Sequence, residues 1–263
     1  MNALFFNTKN ACSNADIHII SKDQEGLIMN IIDKQYKPII AINEDVLNDY
    51  IDLLSNIYKP FILFTISSIN LDKLNECPLD IDKMLSNSNM IVWFTSQKTT
   101  THWKVRSYPL GPLRIDSHIT QGDVMRKMFD IEKKNELFYD FKSEDNVSKY
   151  LSTMYNRVNT GEMDDATYYR CLETYKFCVV CPSQQQHQQV WEALLSGVFP
   201  IVVSSSSNDL YINLPVIVIH NWFTITPAFL KEMYTELTTY KKYSYEKLYK
   251  YYWLNEIIKY KNC

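Results

Sequence analysis

The chain has 263 residues, a formal net charge of −3, 46% hydrophobic and 14% aromatic residues. That length exceeds a single average domain, so two domains are expected, and the apolar content is ample for two cores. The weak negative charge excludes a general attraction for nucleic acid or anionic membrane, and no run of about 18 apolar residues is present to predict a membrane span.

In chain order, the start Met1-Asn2-Ala3-Leu4-Phe5-Phe6-Asn7 has no basic segment and no long apolar run, so it does not read as a signal peptide. The apolar, β-rich runs Ile17–Ile20, Pro38–Ile42, Pro60–Thr65 and Met90–Phe94 read as strands. Helical patterns fill the gaps at Gln24–Asp33, Glu44–Ile57 and Leu79–Leu85. Arg106–Arg114, with Pro109, Gly111 and Pro112, predicts a domain crossing. Alternation then restarts with a helix at Asp123–Asn135, a strand at Leu137–Phe141, and helices at Val147–Val158 and Asp164–Glu173. Phe177–Cys181 and Phe199–Val203 read as buried parallel strands, and Leu214–His220 as a third. Between the first two, Ser183 and Gln186 form a capping box, and Gly197 fits the residue just past the helix. The last segment carries Tyr245, Leu248, Tyr249 and Tyr252 at helical spacing, which predicts a helix over about 243–260.

Strands alternating with helices predict parallel sheets covered on both faces. In a strand–turn–helix–strand unit the helix N-terminus points at the carboxyl edge of the sheet, where free N–H groups and the helix dipole favour a phosphate. Alternation alone equally suits a periplasmic-binding-protein-like fold or a nicotinamide enzyme. Six cysteines are scattered along the chain. Cys178 and Cys181 are spaced C-x-x-C, but on a strand positions i and i+3 point to opposite faces, so neither metal nor disulfide is expected. Reduced cysteines in a cytoplasmic setting fit this usage.

The wording Tyr175-Lys176-Phe177, Pro182, Trp191-Glu192-Ala193-Leu194, Gly197 and Pro200-Ile201-Val202 resembles the exostosin-like glycosyltransferases. Leu210-Tyr211, Leu214-Pro215-Val216 and Asn221-Trp222 continue the resemblance, and Trp93-Phe94, Lys104-Val105 and Pro109-Leu110-Gly111 extend it upstream, over roughly residues 60 to 255. It implies a GT-B-like α/β fold of two doubly wound, Rossmann-type domains with an interdomain cleft. The domains would be 1–110, holding the acceptor, and 111–263, holding the nucleotide sugar, with the last helix packing back on the first. The compact form resembles the versions encoded by large DNA viruses of algae. The activity implied is inverting transfer from a UDP-sugar, UDP-xylose among the candidates, to a glycan acceptor, with no metal or other cofactor.

Residue by residue, the resemblance implies that Glu192 holds the donor ribose, since a carboxylate accepts from two vicinal hydroxyls. Ser183 and the amides of Gln184, Gln185 and Gln186 would face the diphosphate, with His187, Gln188 and Gln189 as side-chain donors. The family carries an arginine where this chain has Gln189. That loss of a charge-assisted contact hands the role to Arg157, Arg114 or Lys142, or marks a non-catalytic nucleotide- or glycan-binding module. Ser204 and Ser205 follow a strand at the ligand edge and are candidates for the donor sugar. For the general base an inverting transfer needs, the candidates are Asp23, Asp72 and Asp16. Asp80-Ile81-Asp82 and Asp164-Asp165 read as helix starts rather than metal sites.

Overall fold

A computed structural model describes residues 15–66, 81–96, 98, 100–112, 121–140, 146–161, 163–180, 186–239 and 242–262. Its elements in order are β1 (Ile17–Ile19), α1 (Glu25–Lys34), β2 (Ile39–Asn43), α2 (Leu47–Ser55), β3 (Phe61–Ile66), α3 (Ile81–Leu85), β4 (Met90–Thr95), β5 (Val105–Ser107) and α4 (Gln121–Phe129). There follow β6 (Asn135–Phe138), α5 (Asn146–Leu151), α6 (Asp165–Leu172), β7 (Tyr175–Val179), α7 (Gln186–Leu195), β8 (Phe199–Val203), β9 (Ile217–Ile219), α8 (Pro227–Thr239) and α9 (Lys250–Asn262). The chain divides into two compact units: one runs up to Leu110 and takes in the residues from Tyr251 onward, and the other spans Gly111–Lys250.

Both units are parallel α/β sheets, one of five strands in the order β1-β2-β3-β4-β5 and one of four in the order β6-β7-β8-β9. Each order simply follows the chain. A doubly wound sheet reverses direction at a switch point, and the described strands show no such reversal. The two parallel sheets flanked by helices are compatible with two Rossmann-like domains, their described strands following one another in chain order.

In the first unit, alternation along the strands splits the buried residues between two faces. Ile40, Ile42, Phe61, Leu63, Trp93 and Val105 pack with Ile28 and Ile32 of α1, Tyr50 and Leu54 of α2, and Met84 and Leu85 of α3. The opposite face presents Phe64 and Phe94 beside Tyr108, and α9 covers it. The Phe64 and Tyr108 rings meet edge to face at 4.4 Å, Tyr260 meets Phe94 at 5.7 Å, and Trp253 meets Tyr108 at 5.7 Å. Lys261 closes the contact with an ion pair to Asp16 at 2.9 Å.

Helix C-termini, with their unsatisfied carbonyls and partial negative charge, collect at the amino edges of parallel sheets, and lysines serve them in both units. Lys59 Nζ donates to Ile32 and Asp33 carbonyls, both at 3.2 Å. Buried Lys104 donates to those of Leu85 and Asn87, at 2.9 and 2.6 Å. In the second unit buried Lys133 donates to those of Glu173 and Ser196, at 2.7 and 3.4 Å.

The second unit buries Phe177 and Phe199 under Tyr234 of α8, whose ring lies 6.1 and 5.9 Å from theirs. On the other side Tyr168 of α6 meets Phe138 edge to face at 6.0 Å. Several elements depart from the sequence reading. The helix expected over Asp123–Asn135 stops at Phe129, and that over Val147–Val158 stops at Leu151. The tyrosine stripe is not one helix: a short 3₁₀ turn, Tyr245–Leu248, ends at Tyr249 in extended conformation (φ −110°, ψ 146°) before α9 begins. The unit boundary falls between Lys250 and Tyr251, at the first residue of α9, and Tyr245 and Leu248 before it are buried. Among the described residues no helix is long and apolar enough to cross a membrane.

Candidate functional site

The strand–helix–strand unit β7–α7–β8 is the centre of the second sheet. β7 and β8 pair in parallel, Phe177 with Phe199 and Val179 with Ile201. Gly197 ends α7: its N–H reaches the Leu194 carbonyl at 3.0 Å and the Val198 N–H reaches that of Ala193 at 2.9 Å. This double bond pattern requires a left-handed residue at Gly197, and its φ is +68°. The helix therefore starts at the carboxyl edge and returns to the amino edge within ten residues.

Glu192 lies on this helix with 6% of its surface exposed. Its charge bears on Tyr168 and Cys178, as does that of Asp140, whose carboxylate accepts from the Thr160 hydroxyl at 3.0 Å. Burial pushes the Tyr168 phenol far up, the neighbouring Cys178, Glu192 and Asp140 push it further, and a hydrogen bond from the Gln189 side chain opposes them. Burial likewise raises the Cys178 thiol, with Asp140 and Glu192 adding to it. Glu192, Gln189, Tyr168, Cys178 and Asp140 thus form one polar group beneath the carboxyl half of the sheet. Gln189, half-buried, is anchored by the buried Tyr168. Sequence reasoning missed Tyr168 and Asp140. Asp140, just past a strand end, carried the one available signal, its position.

Arg157 is exposed, and its charge opposes the upward shift that burial gives Tyr139. The Val158 N–H donates to the Tyr139 carbonyl at 2.9 Å, which sets Arg157 beside the carboxyl end of β6. Ser204 and Ser205 follow β8 at the same edge, but their hydroxyls and amides hold a turn. Asn208 Nδ2 donates to Ser204 Oγ at 2.9 Å, and its Oδ1 accepts from the Ser205 N–H at 3.0 Å. Lys142, Ser183, Gln184 and Gln185 lie outside the described residues. Gln186 and His187 open α7, and their side chains also lie outside them.

Of the base candidates, Asp72 lies outside the described residues. Asp16 is at the amino edge, opposite the ligand edge, where Oδ2 accepts from the Ile39 N–H at 2.7 Å and pairs with Lys261. Those contacts make it a tether for β2 and α9. Asp23 is exposed after β1, with φ +72°.

The carboxyl edge of the first sheet holds a group that sequence reasoning assigned to a helix start. Glu44, 6% exposed, directly follows β2. Its Oε1 accepts from the hydroxyls of Thr95 at 3.2 Å and Thr65 at 3.4 Å. The Trp93 indole N–H donates to Thr65 Oγ1 at 3.0 Å, so the Thr65 proton is free for Glu44. Among the described residues, no group of three or more His, Cys, Asp or Glu is placed to hold a metal ion. No protein-family model matches the chain, and no curated protein matches it.

Proposed function

We propose that the protein is an inverting glycosyltransferase of GT-B type that takes a UDP-sugar in its second unit and a glycan acceptor in its first. The supporting observation is the parallel β7–α7–β8 unit, with α7 starting at the carboxyl edge and Glu192 buried on it. It coincides with the segment whose wording resembles the exostosin-like family. In this reading Glu192 accepts the ribose hydroxyls, the amides at the α7 N-terminus hold the diphosphate with the help of the helix dipole, and Arg157 at the β6 end supplies positive charge.

A second reading, a nucleotide- or glycan-binding module without turnover, draws on Gln189. That residue stands where the family has an arginine, and its side chain serves the buried Tyr168. Release of free UDP separates the two. The protein is incubated with UDP-xylose, UDP-glucose or UDP-N-acetylglucosamine and a mixture of oligosaccharide acceptors. Release above a Glu192→Gln control supports the transferase. Bound donor without release supports the module.

A further inference from the structure

The carboxyl edge of the second sheet carries one side chain that packing does not account for. β9 runs level with β8 there, since the Ser204 N–H donates to the Ile219 carbonyl at 2.8 Å. A 3₁₀ turn, Trp222–Thr224, follows β9 after two residues. Phe223 at the centre of this turn is 61% exposed, the one large aromatic side chain exposed in this unit among the described residues. A single exposed phenylalanine on a loose loop needs no explanation, but this one is fixed at both backbone and ring. Its N–H donates to Asn221 Oδ1 at 2.9 Å. The Tyr150 hydroxyl lies 3.1 Å from both the Phe223 and the Ile225 carbonyl and shares its one proton between them. The Tyr150 and Phe223 rings meet edge to face, with 4.9 Å between centroids and 81° between planes. Such a contact occupies at most one face of the phenyl ring. A rigid aromatic side chain with an open face loses little conformational freedom when a flat partner covers it.

We propose that Phe223 is the stacking platform for the base of a nucleotide bound at the carboxyl edge of the second sheet. Position selects this partner. α7 starts at the same edge beyond β7, and β7 and β9 stand two strands apart in the order β7-β8-β9. Two strand spacings are about 10 Å, a span that a nucleoside bridges between its phosphates and its base. The phosphates then lie at the α7 N-terminus and the base on the phenyl ring. Stacking tolerates every base, because each has a π-face, so Phe223 supplies affinity rather than choice of nucleotide. The phosphate half of this arrangement rests on the donor site proposed above; the stacking half does not.

Saturation-transfer NMR with uridine reads the platform on the full chain without any phosphate. The expected result is transfer that is strongest at the base protons, lost in Phe223→Ala and kept in Phe223→Trp. Calorimetry adds the phosphates. Phe223→Ala is expected to weaken UDP about tenfold, within the range for one base on one aromatic ring, and to leave inorganic pyrophosphate unchanged. Tyr150→Phe keeps the ring contact, frees the two carbonyls, and is expected to weaken UDP about threefold. No transfer to uridine by wild type, or equal uridine and UDP binding by Phe223→Ala, overturns the proposal. An equal loss of pyrophosphate in Phe223→Ala also overturns it, because the ring would then only support the fold. Glu192→Ala separates the two readings. UDP weakened by that variant and not by Phe223→Ala removes the platform and keeps the donor site. Uridine transfer abolished by Phe223→Ala, with UDP bound no tighter than uridine, keeps the platform and removes the donor site.

Discussion

Replacing Gly197 with alanine is the sharpest test of how the second unit is built. A Cβ at this position would lie 2.5 Å from Lys127 Cβ, 2.6 Å from the Lys127 carbonyl carbon and 2.7 Å from the Met128 nitrogen. Two of those atoms are backbone of α4, which cannot turn aside as a side-chain tip can. The residue also sits at φ +68°, where a side chain costs about 1 kcal/mol or more. Relieving the clash requires shifting α4 against the sheet, an overpacking term of about 1–3 kcal/mol. The expected loss is therefore about 2–4 kcal/mol, a large share of the 5–15 kcal/mol typical of a domain. Urea unfolding followed by far-UV circular dichroism measures it, as a lower midpoint at unchanged slope. The same substitution at Gly26, in α1 with nothing within 4 Å of its Cβ, has the opposite expected sign, a gain of up to about 1 kcal/mol. A Gly197→Ala loss below about 0.5 kcal/mol, the size of an ordinary surface change, would refute the close approach of α4.

Burial lowers the Lys133 amine to about 8 from its ordinary 10.5, with the Glu173 charge opposing. Between those two values the unfolded chain binds more protons, so stability should rise with pH from about 8 to 10, by at most about 3 kcal/mol. Lys133→Met should flatten that rise in pH-dependent unfolding curves. Lys261→Met removes the ion pair that ties α9 to Asp16 and should cost about 1 kcal/mol, given that both side chains are partly buried; unfolding midpoints of single and double variants measure the coupling. Ending the chain at residue 250 would uncover Phe64, Phe94 and Tyr108, and the shortened protein should bind a hydrophobic dye and lose cooperative unfolding of its first sheet.

The β7–α7–β8 unit was legible because each signal there is local. Phe199–Val203 is a continuous apolar run, and Gly197 follows a helical pattern at the spacing a left-handed cap needs. β5 was hidden because three residues, Val105–Ser107, carry no period, and its identity comes from pairing with β4. α8 was not read from the sequence, although its start carries local signals: Thr226 Oγ1 accepts from the Phe229 N–H at 3.2 Å and Pro227 takes the first helical position. The tyrosine stripe misled because spacing reports a face and not the extended residue Tyr249 that breaks it. Glu44 was read as a helix start because its role depends on the register that sets Thr65 and Thr95 beside it across two strand crossings. Charge partners of Glu192 were illegible for the same reason: Tyr168 and Cys178 reach it only through the fold.

Calorimetric titration of the wild-type protein and its Glu192→Ala variant with UDP and GDP tests the central claim most directly. The account predicts that wild type binds UDP and that the variant, still folded, loses it by about tenfold or more, the value of hydrogen bonds to a charged group. Absence of UDP binding, or equal binding by the variant, would contradict a donor site on α7.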